Sequence, residues 1–357
     1  MENPAIRVEP VLQILSLVVN IPETDLSLCM QSTVMRRNKI SVIGAGNVGA
    51  TVAQFLAARE LGDIYLFDVV DGVPEGKALD IAEGTPHWRT SVEVKGFTTT
   101  NPEAYKNMAD SDVIVVTAGL ARKPGMSRDD LLNKNIEIIS DVGKNINKYS
   151  PNSVIVVVSN PADIMAYALQ KSTGISPDRI IGLGGSLDSS RFRYFIAQEL
   201  GVAVEDVNAF VIGGHGDDMV PFVRYSSVSG IPISNLMSKD KIDEIIKRTR
   251  FGGGEIVNYL KTGSAYYAPG ISITAMVESI IRDRKRVIPC AAYLEGSTGK
   301  HYNASGIFIG VPIKIGKEGV EKIYEMDFNK DELALWEKTV QSVKNSCKLV
   351  DQFFSKN

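Results

Sequence analysis

Cysteine and histidine are scarce in this chain, which has three of each among its 357 residues. The cysteines, Cys29, Cys290 and Cys347, are odd in number and far apart, which excludes a disulfide framework and a four-cysteine zinc site. A reducing compartment fits this cysteine usage best. With so few histidines as well, we predict no metal site.

The sequence also lacks an excess of charge of one sign. Lys plus Arg number 39 and Asp plus Glu 42, for a net charge of -3. We therefore expect no nucleic-acid partner. The apolar run at 11–19 is too short to span a bilayer, so we expect no membrane partner either. The hydrophobic content of 44% is ordinary for globular proteins, and the length predicts about two domains.

Residues 1–37 differ from the rest of the chain. Glu2 and Glu9 offset the charge of Arg7, so the positive front end of a secretory signal is missing. Later acidic residues in the segment argue against a transit peptide. We interpret 1–37 as a weakly ordered extension and expect a cytoplasmic protein. Import into an organelle, or contact with a partner or membrane through this segment, remains the alternative.

Strands and helices alternate from Lys39 to about residue 183. Continuous apolar runs predict strands that are buried on both faces, with helices as the crossovers between them. The pattern then changes, and we place a domain boundary near 183. Predicted strands lie at 39–43, 64–67, 113–117, 154–159, 207–212 and 220–227, with strand-like stretches over 287–315; predicted helices beyond the first domain lie at 187–200, 240–262, 270–282 and 330–354.

A glycine-rich motif joins the first strand to the first helix. It consists of Gly44, Ala45, Gly46, Asn47, Val48 and Gly49. Asp68 ends the next strand about 20 residues on, as in dinucleotide-binding folds. The glycines allow a close approach of a pyrophosphate to the helix N-terminus, and the carboxylate accepts ribose hydroxyls. The carboxylate of Asp68 favours NAD over NADP, because it would repel a 2′-phosphate. The alternative interpretation of the motif is a glycine turn that binds no ligand.

A cationic loop follows the third predicted strand. Arg122 and Arg128 flank a Pro-Gly pair, which is typical of a mobile loop at the carboxyl edge of a sheet. Ligands bind at that edge in open α/β folds, and two arginines suit an anionic small molecule. A solvated surface loop is the alternative.

Asp188 and Arg191 lie three residues apart in a predicted helix, and therefore on one face. An arginine fork can bind a carboxylate with two hydrogen bonds. The alternative is an ion pair within the helix.

His215 is flanked by glycines directly after a predicted strand. The glycines let a substrate approach the imidazole, which is the usual proton shuttle near neutral pH. A nearby carboxylate would fix its tautomer. His87, in a predicted loop, and His301, in a predicted turn, are weaker candidates. The alternative for His215 is an ordinary turn histidine.

Together these motifs resemble the malate and lactate dehydrogenase family over residues 39–354. The similar segments are GAGNVG at 44–49, ARKPGMSRDDL at 121–131, SNPAD at 159–163, LDSSRFR at 187–193 and GGHGD at 213–217. The resemblance implies a Rossmann-type doubly wound parallel sheet at 38–183, followed by a mixed α+β domain for substrate binding and oligomerisation at 184–357. It also implies homodimers or homotetramers.

The resemblance further implies roles for individual residues. His215 corresponds to the catalytic acid/base, Asp188 to its carboxylate partner, and Arg191 to the residue that binds the substrate C1 carboxylate. Arg128 corresponds to the loop arginine that polarises the reacting carbonyl. Asn160 matches the residue between nicotinamide and substrate, and further cofactor contacts fall on Asn135, Val158 and Ser159.

Arg122 distinguishes the substrates in this resemblance. Members that act on lactate usually have glutamine there, and those that act on malate have arginine. Oxaloacetate has a second carboxylate that needs a fixed cation in a water-poor site. Ala265 aligns with a threonine of the lactate enzymes. The sequence resembles the lactate-dehydrogenase-like malate dehydrogenases; a lactate or other 2-hydroxy-acid dehydrogenase, or a catalytically silent NAD-binding protein, is the alternative.

Overall fold

The structure of the protein is a computed structural model that describes residues 36–120, 128–216 and 218–356. The side chains of Arg128 and Asp129 are not part of that description. Almost all of the predicted extension at 1–37, Arg122 with its loop, and Asp217 lie outside the described residues.

A nine-stranded sheet forms the centre of the molecule, and six of its strands are parallel. Their spatial order is β3-β2-β1-β4-β5-β6, which confirms the predicted doubly wound arrangement. The valine- and isoleucine-rich β4 and β5 are buried along their whole length, because helices cover both faces of the sheet. These strands are β1 (Lys39–Ile43), β2 (Asp63–Asp68), β3 (Val94–Thr98), β4 (Val113–Val116), β5 (Val154–Val157) and β6 (Ile180–Gly182).

The sheet continues beyond β6 with antiparallel strands from the second half of the chain. β10 (Arg286–Leu294) pairs with β6 and β11 (Ile307–Gly316), and β12 (Gly319–Ile323) forms the outer edge. A separate three-stranded sheet contains β7 (Val207–Ile212), β8 (Val220–Val228) and β9 (Ile231–Pro232). One sheet thus crosses the expected boundary near residue 183, and the division into two functional domains stays a prediction.

Helices pack against the sheet. They are α1 (Asn47–Ala58), α2 (Val73–Trp88), α3 (Arg128–Tyr149), α4 (Ala162–Thr173), α5 (Gly185–Leu200), α6 (Lys239–Leu260), α7 (Tyr267–Ile281), α8 (Gly296–His301) and α9 (Lys330–Lys356), with 3-10 turns at Pro102–Met108, Pro177–Arg179, Val204–Asp206 and Ile233–Asn235. The bounds of the five that correspond to predicted helices, α1, α5, α6, α7 and α9, lie within three residues of the prediction. None of the helices in the described ranges is long and apolar enough to cross a bilayer.

The loop prediction for His87 and the turn prediction for His301 were wrong. His87 lies in the last turn of α2, which continues through Pro86. Proline cannot donate to the carbonyl of Ala82, but the Thr85 hydroxyl donates to that oxygen at 2.7 Å and replaces the missing hydrogen bond. His301 is the last residue of the short helix α8. Neither histidine lines the cavity described below.

Candidate active site

The glycine motif forms a tight turn between β1 and α1. Gly44 has φ +105°, and a Cβ on it would lie 2.5 Å from Oγ1 of Thr117. A Cβ on Gly49 would lie 1.8 Å from the carbonyl oxygen of Gly44. Side chains at these two positions would push the helix away from the strands. A Cβ on Gly46, by contrast, would meet nothing within 4 Å, so the backbone there borders open space.

The residues at this turn fit an anionic dinucleotide. Gly46 caps α1, and within the described chain no side chain caps the helix and no acidic residue occupies its first turn. The first N–H groups of α1 are therefore left for a ligand phosphate. Asp68 lies beside the turn: its Oδ2 accepts from the amide of Ala45 at 2.6 Å, and its Oδ1 from that of Val70 at 3.0 Å.

Asn135 ties together the loops that follow β4 and β5. Its Oδ1 accepts from the amide of Leu120 at 2.8 Å, and its Nδ2 donates to the carbonyl of Asn160 at 3.0 Å. The hydroxyl of Ser159 donates to the carbonyl of Ala118. These bonds hold Asn160 at the carboxyl edge of the sheet. A direct contact between the Asn135 side chain and a cofactor stays a prediction.

Asp188 on α5 links the predicted histidine and arginine. Its Oδ2 lies 2.8 Å from Nδ1 of His215, and its Oδ1 accepts from Nη1 of Arg191 at 3.2 Å. The Asp188 side chain is only 1% exposed, whereas those of His215 and Arg191 are 19% and 15% exposed. The Asp188 carboxylate is thus buried, whereas the side chains of His215 and Arg191 that bond to it are both partly exposed.

The surroundings of His215 favour its protonated form. Burial by itself lowers the pKa of His215, but the charge and hydrogen bond of Asp188, with a contribution from the charge of Asp163, outweigh it. Arg191 opposes this effect, and the net result is a pKa above the ordinary histidine value. Because Nδ1 faces Asp188, Nε2 is the nitrogen that can exchange a proton with a ligand.

One cavity of about 720 Å³ joins the glycine motif to the histidine. Ten of the predicted site residues line it: Gly46, Asn47, Val48, Gly49, Val158, Ser159, Asn160, Asp188, Arg191 and His215. Four further predicted residues do not line the cavity but support the turn and loops that do: Gly44, Ala45, Asp68 and Asn135. Arg122 and the side chain of Arg128 lie outside the described residues, so their predicted contacts are not tested.

Comparison with known proteins identifies the family. The model of the lactate/malate dehydrogenase NAD-binding domain matches residues 38–182, and that of the family's alpha/beta C-terminal domain matches residues 185–354. The chain belongs to the lactate/malate dehydrogenase family. It is therefore an NAD-dependent dehydrogenase, as the resemblance implied.

Relatives of this dehydrogenase cover nearly the whole matched region. A malate dehydrogenase of Thermoplasma acidophilum is 75% identical over 323 residues, which are 90% of this chain and 99% of the relative. The apo structure of Picrophilus torridus malate dehydrogenase is 70% identical, with a TM-score of 0.89, and the match covers 90% of this chain and 99% of that one. A lactate dehydrogenase of Cryptosporidium parvum, solved with lactic acid and nicotinamide adenine dinucleotide, is 39% identical, with a TM-score of 0.83 and coverage of 89% and 99%.

The sequence interpretation missed a cation of the dehydrogenase's cavity. Arg250 on α6 lines the cavity, and its Nη2 donates to the carbonyl of Met219 at 3.4 Å. Its Nε is buried without a hydrogen-bond partner, and no ion pair to Arg250 is found within the ranges described above. Arg191, in contrast, is partly neutralised by Asp188. The signal in the sequence was an arginine separated by one phenylalanine from three consecutive glycines inside a predicted helix.

The first of those glycines, Gly252, makes room for Arg191. A Cβ on Gly252 would lie 3.3 Å from Cδ of Arg191, and one on Gly253 would lie 3.7 Å from its Nη2. Glycine in a helix interior costs about 1 kcal/mol relative to alanine. Gly252 therefore leaves space for the Arg191 side chain at the expense of helix propensity, whereas a Cβ at Gly253 would make only an ordinary contact.

Proposed function

We propose that this dehydrogenase catalyses the reversible oxidation of (S)-malate to oxaloacetate with NAD. The observation that carries the proposal is the buried Asp188, which bonds both His215 and Arg191 at one end of the cavity that begins at the glycine motif. Proton exchange, carboxylate binding and dinucleotide binding are thereby combined in a single space. The names of the relatives at 70–75% identity support malate as the substrate.

The choice of malate over lactate rests on a second cation. Lactate and malate dehydrogenases both occur among the similar structures, so the fold alone does not separate the substrates. Arg122 supplies a charge for the distal carboxylate of oxaloacetate, where pyruvate has only a methyl group. Ala265, which lines the cavity, offers more room than the threonine of lactate enzymes.

His215 exchanges the proton in this proposal. The neutral imidazole donates a hydrogen bond from Nδ1–H to the Asp188 carboxylate, which leaves the Nε2 lone pair to accept the malate hydroxyl proton. In the reverse direction the imidazolium gives the Nε2 proton to the developing alkoxide. Asp188 stabilises the imidazolium, and Arg191 binds the C1 carboxylate with its fork. Arg128 polarises the reacting carbonyl oxygen in this proposal.

NAD, when bound, supplies the hydride acceptor at the nicotinamide ring. Gly44 to Gly49 form the pyrophosphate site, and Asp68 receives the ribose hydroxyls. Asn160, with the backbone of Val158 and Ser159, borders the nicotinamide end. A 2′-phosphate would face the carboxylate of Asp68 with no arginine in 69–71 to receive it.

The test is oxidation of NADH by the purified protein, with oxaloacetate and pyruvate compared side by side and NADPH as a parallel cofactor. We expect the highest kcat/KM with oxaloacetate and NADH. A preference for pyruvate would make the protein a lactate dehydrogenase. Binding of NADH without turnover of any 2-keto acid would leave an NAD-binding protein.

We also propose that the enzyme acts as a homodimer or homotetramer in the cytoplasm. Large exposed apolar side chains support assembly, among them Tyr194 on α5 and Phe251 and Tyr259 on α6, which are 53–79% exposed. The buried thiols of Cys290 and Cys347 are not in disulfides, which suits a reducing compartment. Light scattering tests the assembly, and cell fractionation tests the location, including import through residues 1–37.

A further inference from the structure

Asp163 is a buried carboxylate that the mechanism above does not use. It lies in the first turn of α4 and is 3% exposed. Its Oδ2 accepts a hydrogen bond from the main-chain amide of His215 at 2.9 Å. Its Oδ1 is buried and has no hydrogen-bond partner among the described residues. A charged group with one oxygen left unpaired is costly to bury, so its place beside the histidine calls for a reason.

Three side chains anchor Gly214 and His215, in addition to the backbone hydrogen bonds between Gly213 and Gly310. Asp188 holds the imidazole ring, Asp163 holds the His215 amide, and Oγ1 of Thr339 on α9 accepts from the amide of Gly214 at 2.9 Å. The Thr339 anchor is neutral, whereas the other two are carboxylates. Asp163 also follows Asn160 by three residues, so one short segment borders the nicotinamide end and fixes the histidine.

The charges around His215 and Asp163 come from two helices, α4 and α5. Asp188 and Arg191 on α5, and Asp163 on α4, act on His215. The charges of His215 and Asp188 also affect the pKa of Asp163. The charge of Asp163 adds to the rise that burial causes in the pKa of the Cys347 thiol on α9. Burial raises the pKa of Asp163 to about 6, so the group is mainly ionised at neutral pH. Its negative charge is therefore present in the range where the histidine titrates.

We propose that Asp163 is a positioning residue for His215, whose buried carboxylate fixes the histidine main chain and stabilises the imidazolium together with Asp188. The proposal rests on the proposed role of His215 as the proton carrier. Asp188 sets the tautomer through the ring, and Asp163 holds the backbone from which the ring projects. A neutral acceptor such as Thr339 could provide the second anchor without the desolvation cost, so the charge is the feature that needs a function.

The experiment is an NMR titration of histidine-labelled apoprotein. The chain has only three histidines, and the His215 resonance is identified by its absence in His215→Asn. Asp163→Asn keeps an oxygen that can accept from the His215 amide but removes the charge. Thr339→Val is the matched control, because it removes a neutral anchor of the same loop. His87 and His301 serve as internal references.

We expect the His215 pKa to fall in Asp163→Asn and to stay unchanged in Thr339→Val. The kcat for oxaloacetate reduction at pH 8 should fall about tenfold in Asp163→Asn, with the NADH dissociation constant unchanged. A His215 titration equal to that of the parent overturns the proposal, even if the variant is less stable. An altered His215 pKa in a protein that does not turn over oxaloacetate would instead count against the proposed function alone.

The parent protein provides a second measurement in case Asp163→Asn does not fold. Because Asp163 titrates near pH 6, the His215 ring signals should follow two coupled steps, one of them from the carboxylate. A single-step titration of His215 in the parent would rule out the electrostatic role.

Discussion

The two ends of the cavity are built in different ways. The cofactor end consists mainly of backbone from one continuous segment, 44–49, whose glycines make space and leave N–H groups for a phosphate. The histidine end depends on charged side chains from separate elements: Asp163 on α4 and Asp188 on α5 bond to His215, and Arg250 on α6 lines the same cavity. We therefore expect a ligand to be recognised by backbone shape at one end and by charge at the other.

This difference predicts two kinds of mutational effect. Side chains added at the cofactor end should disturb packing or dinucleotide affinity. Removal of a charge at the histidine end should change rate and substrate choice while NADH still binds.

His215→Asn should bind NADH normally and lose most of its turnover. General acid–base catalysis contributes about 10²–10⁴-fold, and the histidine is the one group of the cavity assigned to proton exchange. NADH fluorescence titration and steady-state kinetics measure the two properties. His301→Asn is the control, since His301 lies outside the cavity. Near-normal turnover of His215→Asn would remove this residue from the mechanism.

Arg122→Gln should shift the preference from oxaloacetate toward pyruvate. Loss of a charge that pairs with a buried carboxylate costs about 3–5 kcal/mol, or roughly 10²–10⁴ in kcat/KM for oxaloacetate. Pyruvate has no charge at that position and should lose little. The readout is the ratio of kcat/KM for the two keto acids, with Lys123→Gln as a control in the same loop. A ratio that changes only a few-fold would show that Arg122 does not read the second carboxylate.

Gly44→Ala and Gly46→Ala should separate packing from ligand binding. At Gly44, positive φ and the contact with Thr117 should lower the free energy of unfolding by roughly 1–3 kcal/mol. At Gly46, where φ is -64° and the added Cβ meets open space, stability should hardly change while NADH affinity falls. Denaturant unfolding and NADH titration measure both. Equal destabilisation by the two substitutions would contradict this account of the turn.

The pH dependence should reveal the raised pKa of His215. Reduction of oxaloacetate needs the imidazolium, so kcat/KM should fall as pH rises through a midpoint above 6.5, while malate oxidation rises over the same interval. The stabilisation from proton binding is fully present below about pH 6.5 and is lost as pH rises through the folded-state pKa. Asp188→Asn should lower the midpoint in both directions. A midpoint below 6.5 in the parent would contradict the prediction.

Sequence patterns predicted the buried parts of the fold better than its edges. β4 and β5 are continuous apolar runs because both faces are covered, and the sequence shows them directly. β3 and β12, the two edges of the nine-stranded sheet, were not predicted as strands, and neither was β6, which is buried but only three residues long. Each edge strand contains glycine and lysine and is only partly buried, so the apolar run that marks a strand is weak there. The helix around Pro86 was missed because a side-chain hydrogen bond replaces the lost backbone bond.

The amino-acid sequence by itself determined the local part of this site. Gly44, Gly49 and Asp68 belong to one strand–turn–helix–strand unit, so spacing and residue type alone predict a dinucleotide site there. Tertiary structure decided what surrounds His215. Asp188 and Asp163 are 27 and 52 residues from it in sequence, and they reach it only because the first turns of α5 and α4 pack beside the loop that follows β7. Contacts between distant segments depend on packing, and short-range patterns do not encode them.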